Sequence, residues 1–223
     1  STKEIELVKK LIKQNVLAKN KILDFQAAAQ ISKAFSFNTP RYLKISRLDE
    51  LKHVFNTLSV PLVAKSVDTD ILHRTEQKAV VTGITHPDQL YDFLDSNDIT
   101  KVIFQETISG GLEVFVGIKL DENFGQVLVV GTGGIYAEVM NDFALAPLPK
   151  TIDQVKDVFA KTKVSKILNN YRNIPLQAES LYQLVLNICL FAVQFPEITS
   201  IDANPIIVTE HNSYAVDLKM SLV

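Results

Sequence analysis

The sequence predicts an α+β protein in two lobes, and three observations carry that prediction. Of its 223 residues 47% are hydrophobic, enough for a sizeable core. Segments with helical spacing of apolar residues are interleaved with short apolar, β-branched runs that read as strands. Their order is mixed: two βαβ-like stretches, then several strands, then two helices, then a terminal hairpin, with a lobe boundary near residue 100.

The elements follow in order. Ile5, Val8, Leu11, Ile12 and Val16 recur at helical spacing among lysines, which predicts an amphipathic helix over 3–18. A second helix covers Phe25 to Phe35 and ends before Asn38-Thr39-Pro40. Tyr42 to Ile45 is a short strand, and Ser46 is placed to cap a helix running to Leu58, with Asp49 and Glu50 near its positive end. Val60 to Lys65 and Ala79 to Ile84 read as buried strands, and a helix from Pro87 to Asp95 follows them. Lys101 to Ile108 and Leu112 to Leu120 are strands expected to form a hairpin through Ser109-Gly110-Gly111. Gln126 to Val130 is a further strand ending in Gly131-Thr132-Gly133-Gly134. Thr151 and Gln154 have capping-box spacing, and Ala178 to Phe195 is the longest helix, apolar on most sides. The chain closes on two strands, Ile201 to Pro205 and Tyr214 to Asp217, joined by a turn at Glu210-His211-Asn212-Ser213.

Composition excludes several classes. A net charge of −2 offers no electrostatic case for nucleic acid or an anionic membrane surface. No stretch of eighteen apolar residues occurs, so no bilayer-spanning segment is expected. Cys189 lies in an apolar run as an inert core thiol, no disulfide within the chain is possible, and the first residues carry no apolar block. A cytoplasmic location is the expectation.

Asp202 and Asn204 stand two apart on a strand, so both emerge on one face, and Asp217 on the next strand can join them. Hard oxygen donors on neighbouring strands suit Mg²⁺ beside nucleotide phosphates. The competing reading is a turn at Asn204-Pro205 closed by the carboxamide. Lys65 ends an apolar strand where an anionic phosphate would partner it, although a lysine there also reaches solvent. Glu106 and Glu113 sit on adjacent predicted strands. His73 falls in a polar loop between buried strands, where an imidazole could accept and return a phosphoryl group. His53, His86 and His211 read as solvated. Seven of the eight glycines lie between Gly110 and Gly134, through either close backbone approach or tight turns. The chain has no P-loop and no complete dinucleotide fingerprint, and one cysteine with scattered histidines argues against zinc.

Seven segments in order carry a family resemblance: Pro61 to Lys65, Asp70 to Glu76, Phe104-Gln105-Glu106, Glu113 to Gly117, Asn123-Phe124-Gly125, Gly131 to Glu138, and Asp202-Ala203-Asn204-Pro205 with Val216-Asp217. The chain resembles the β subunit of the ADP-forming acyl-CoA (acetyl-CoA) synthetases, an ATP-grasp module related to the succinyl-CoA synthetase β chain. The resemblance implies an ATP-grasp fold: an N-terminal helix over 1–22, a smaller lobe over 23–102 and a larger one over 103–223, with the nucleotide between the lobes. It also implies a separate CoA-binding α subunit in an α2β2 assembly, with ATP/ADP and Mg²⁺ as nucleotide and metal. His73 matches the histidine that swings between the α-subunit site and the nucleotide. Lys65 matches the phosphate lysine, Glu106 and Glu113 match nucleotide contacts, Asn204 and Asp217 match Mg²⁺ ligands, and Asp202 matches an acidic neighbour orienting metal or histidine.

Two departures stand out. Lys78-Ala79 replaces a Gly-Gly pair of the family, and no basic residue occurs between Lys119 and Lys150, where relatives carry an arginine before Pro147-Leu148. They motivate a second reading, a degenerate ATP-grasp module that senses nucleotide or acts as a scaffold. A third is a free-standing carboxylate–amine ligase, which would have no use for the loop histidine.

Overall fold

A computed structural model describes residues 2–67, 80–134, 141–169 and 171–223. The chain divides into two compact units, one of Pro40–Ser109 and one that joins Ser1–Thr39 to Gly110–Val223. Helix α1 (Thr2–Leu17) buries Val8 and Ile12, as its periodicity requires. Helix α2 (Phe25–Ala34) is capped by Asp24, whose carboxylate accepts from the Ala27 amide at 2.7 Å.

The smaller unit holds β1 (Tyr42–Lys44), α3 (Leu51–Thr57), β2 (Leu62–Ser66), β3 (Val80–Ile84), α4 (Tyr91–Ser96) and β4 (Val102–Glu106). Its sheet has the order β1-β4-β2-β3, every neighbouring pair antiparallel. The two βαβ-like stretches are therefore split: β4 lies between the parallel β1 and β2, and β2 between the parallel β3 and β4. Leu62, Ala64, Val102 and Phe104 supply the sheet's share of a core completed by Val54, Leu90 and Phe93. Ser46 does not cap α3 with its side chain. Glu50 instead reaches back, accepting from the Ser46 amide at 2.7 Å and the Arg47 amide at 3.2 Å.

The larger unit continues with β5 (Leu112–Asp121), β6 (Gly125–Thr132), β7 (Phe143–Pro147), α5 (Ile152–Phe159), α6 (Val164–Leu168), α7 (Ala178–Gln194), β8 (Ile198–Val208), β9 (Ser213–Ala215) and β10 (Leu218–Leu222). The strands form an antiparallel sheet in the order β10-β8-β5-β6-β7, with β9 also paired to β8. One face is covered: Val114, Val116, Ile118, Leu128, Val130, Ile201 and Ala203 share a core with Val155, Val158 and Phe159 of α5 and Leu181, Val185 and Ile188 of α7. Val8, Ile12 and Ile31 belong to that same core, and Phe35 meets Phe191 of α7 with ring centroids 4.8 Å apart. Helix α2 therefore goes with the larger unit, while β4 is paired inside the smaller one. The division falls at 39/40 and 109/110, not at the expected 22/23 and 102/103.

The expected β4–β5 hairpin does not form. The two strands belong to different sheets, and Gly110 and Gly111, at φ +70° and +100°, carry the chain from one unit to the next. Thr151 caps α5 by accepting from the Gln154 amide at 3.3 Å, and Gln154 reaches back to the Lys150 amide at 2.8 Å. Among the described residues no helix is long and apolar enough to cross a membrane.

Candidate functional site

Strand β8 runs on through Asn204-Pro205 instead of turning there. On β5, Val114 pairs with Ile206 and Val116 with Ala203, so two residues of β8, Asn204 and Pro205, oppose Phe115 alone. This is a β-bulge, and it resets the side-chain alternation: Ile201, Ala203, Ile206 and Val208 are all buried, while Asp202 and Asn204 are exposed on the opposite face. The other edge of β8 breaks at the same place. β9 ends at Ala215, β10 starts at Leu218, and Val216-Asp217 form a bend rather than continuing the strand. Two main-chain hydrogen bonds hold the bend against the bulge: Asn204 N–H donates to the Asp217 carbonyl at 3.1 Å, and Val216 N–H to the Pro205 carbonyl at 3.0 Å. Asn204 and Asp217 are thus brought together through their main chains.

Asp202 lies in a row that crosses the whole sheet. Leu145 of β7 pairs with Val129 of β6, Val129 with Gly117 of β5, Gly117 with Asp202, and Asp202 with Lys219 of β10. The row passes from exposed apolar side chains at the β7 edge to charged ones at the β10 edge. Partial desolvation on the sheet face raises the Asp202 pKa; Lys219 and Lys119 pull it back, and the negative charge of Asp217 pushes it further up.

Glu113 is exposed at the start of β5, and the glycine run is shaped around it. Gly133 donates its N–H to the Glu113 carbonyl at 3.0 Å, and a Cβ there would meet the Val114 carbonyl carbon at 2.7 Å. Gly134 has φ +66°, and a Cβ on it would overlap the Glu113 carboxylate. Close approach explains these two glycines, whereas Gly110 and Gly125 have open space and serve turns at φ +70° and +71°.

In the smaller unit, Lys65 pairs with Ile103 of β4 and Val80 of β3 and is partly buried. Glu106 pairs with Leu62, so it emerges on the sheet face opposite Lys65. Its carboxylate accepts from the Arg41 guanidinium at 3.0 Å and the Ser59 amide at 2.9 Å. Arg41 also donates to the Thr57 carbonyl at 3.0 Å, tying β1, β4 and the end of α3 together. Gln105, by contrast, is on the Lys65 face and 3% exposed, with its Oε1 lacking any described partner. His73 lies outside the described residues. His53, His86 and His211 are exposed, as expected.

Sequence reasoning missed Asp142. It is 7% exposed and accepts from the Lys163 amide at 2.6 Å, the Thr132 hydroxyl at 2.8 Å and the Val164 amide at 3.0 Å, linking β6 to the start of α6. Burial alone would raise its pKa; the hydrogen bonds outweigh that and hold it below the usual carboxylate range. Its partners are ten or more residues away in sequence, so no local pattern announces the role. Cys189 is buried, and burial pushes its thiol up to about 12, which removes its nucleophilic form at neutral pH.

Among the described residues, no three His, Cys, Asp or Glu side chains converge as a metal cage. A carboxamide and a carboxylate on segments joined by a main-chain hydrogen bond, with a second carboxylate two residues along β8 on the same face, suit instead a hard cation that keeps phosphate oxygens and waters as its other ligands.

The chain belongs to the ATP-grasp domain family, which matches residues 15–222. It is similar to subunit beta of acetate–CoA ligase [ADP-forming] I of Pyrococcus furiosus, at 28% identity over 218 residues that cover 92% of this chain and 94% of the relative. Against acetate–CoA ligase [ADP-forming] I of Archaeoglobus fulgidus the identity is 26% over 203 residues, 86% of this chain but only 30% of that longer protein. Its fold matches a crystal structure from Pyrococcus horikoshii Ot3 with TM-score 0.87, at 22% identity and 98% coverage of both chains. It also matches the dinucleotide forming acetyl-coenzyme A synthetase 1 of Ca. Korarchaeum cryptofilum with TM-score 0.82, at 19% identity, covering 97% of this chain and 100% of that one. That synthetase was solved with coenzyme A and Mg-AMPPCP, its phosphohistidine segment pointing towards the nucleotide binding site.

Proposed function

We propose that this chain is the nucleotide-binding β subunit of an ADP-forming acyl-CoA synthetase. It would work with a CoA-binding α subunit, in an α2β2 assembly, on the reaction acyl-CoA + ADP + phosphate ⇌ carboxylic acid + CoA + ATP. The observation that supports it most is the pairing of Asn204 with Asp217 across the β8 bulge, beside Asp202, in a chain of the ATP-grasp family.

The roles follow from the chemistry of each group. Asn204 and Asp217 would hold Mg²⁺, which when bound neutralises phosphate charge and orients the phosphates. Lys65 would pair with a nucleotide phosphate and Glu113 with the nucleotide's polar groups. Glu106 is committed to Arg41 and Ser59, so its part in nucleotide binding would be to fix the end of β4. His73 would take a phosphoryl group from the α subunit's phosphohistidine and pass it to ADP: its N–P bond breaks as a bond to the terminal ADP oxygen forms. Asp202 would orient the metal or the imidazole.

The test compares the chain alone with the chain mixed with its α partner. Alone it binds Mg·ADP without turnover; mixed, it makes ATP. His73→Ala abolishes ATP formation and leaves nucleotide affinity largely intact. Undiminished ATP formation by that variant overturns the assignment of His73.

A further inference from the structure

The face that carries Asp202 and Asn204 has Asp217 hydrogen-bonded to its edge through the main chain, and Glu113 stands at the start of β5 on the same face. A polyphosphate approaching three carboxylates is repelled unless cations stand beside them, and one divalent ion offsets only part of that charge. Two lysines are set into this face by strand register. Lys219 on β10 is the direct cross-strand partner of Asp202. Lys119 on β5 is two residues from Gly117, the other partner of Asp202, so it is the diagonal neighbour of Asp202 on the same face. Gly117 on β5, beside Asp202, presents no side chain of its own, and a Cβ there would meet the Phe115 ring at 2.9 Å. Both lysines are exposed, and neither closes an ion pair among the described residues. Asp202 is thereby flanked by an ammonium from each of two strands.

Resting on the functional reading above, we propose that Lys119 and Lys219 form a two-strand cationic clamp that binds the phosphates of the nucleotide beside Asp202. Both belong to the larger unit and act from the same face as the metal donors. Each ammonium contributes a charge-assisted hydrogen bond to a phosphate oxygen.

Calorimetric titration of the full chain with ADP and Mg²⁺ tests the clamp, with adenosine as an uncharged probe. Lys119→Gln and Lys219→Gln each weaken ADP binding about tenfold, and the double variant about a hundredfold, while adenosine affinity stays unchanged. The double variant also loses much of the wild type's salt dependence, and Lys119→Arg with Lys219→Arg restores affinity, two readouts that a merely structural role would not move. Wild-type binding of ADP with an unaltered double variant overturns the clamp alone. A wild-type chain that fails to bind ADP with Mg²⁺ overturns the functional reading, and the clamp with it.

Discussion

The Asn204 amide donates to the Asp217 carbonyl at 3.1 Å, so two residues thirteen positions apart are fixed main chain to main chain while their side chains stay available. Position and chemistry are thereby separated. Asn204→Ala and Asp217→Asn should each lower Mg²⁺-dependent nucleotide affinity by about 10- to 100-fold, the loss of one charge-assisted contact. The melting temperature should barely move, because the bonds that hold the bend involve no side chain. Titration calorimetry beside thermal melts checks this, and a large drop in melting temperature with unaltered affinity would count against the assignment.

Gly134→Ala should strain the backbone at φ +66° by about 1–2 kcal/mol and also displace the Glu113 carboxylate. The two effects can be told apart by a double-mutant cycle. Glu113→Ala in the Gly134→Ala background should recover the part due to the clash and leave the backbone strain. Additive free energies in denaturant melts would refute the contact.

Asp142→Asn should destabilise the larger unit by about 2 kcal/mol at neutral pH, since the carboxylate holds two amides and a hydroxyl. The pH dependence has a definite sign. Asp142 has a folded pKa below its ordinary value of 3.8, so its stabilisation is complete above that value and is lost as pH falls through the folded pKa. The gap between wild type and variant should therefore stay constant from neutral pH down to about 5 and close below about 4. A gap that closed between pH 6 and 8 would point to another group.

Glu106→Ala should destabilise the smaller unit by about 1–2 kcal/mol, because it leaves the Ser59 amide and Arg41 without their acceptor. Arg41→Ala should reproduce part of that loss without directly altering nucleotide affinity. Measuring stability and ADP affinity for both variants separates the structural role of Glu106 from any contact with ligand.

Much of this was legible in the chain because alternation and capping are local. Asp202 and Asn204 do share an exposed face, Thr151 does cap its helix, and Ala178 does begin the longest helix. What stayed hidden depends on partners. The strands on either side of Gly110-Gly111 were recognisable, but nothing in their residues says that they join different sheets. The bulge at Asn204-Pro205 exists only relative to Phe115 on β5, so a reader of one strand cannot tell it from a turn. Register, not composition, decides that Glu106 faces away from Lys65 and towards Arg41. Asp142 was invisible because its acceptor role is spread over residues 132, 163 and 164.

Strand β8 is flanked on both edges, by β5 on one side and by β9 and β10 on the other, and Ile201, Ala203, Ile206 and Val208 anchor it in the core. Its amide protons should therefore be among the last of the larger unit to exchange for deuterium, opening only when the sheet itself comes apart. Asn204, the proposed Mg²⁺ donor on this strand, then rides on one of the most persistent segments of the larger unit, so partial loosening at the periphery should leave its position untouched until cooperative collapse removes it at once.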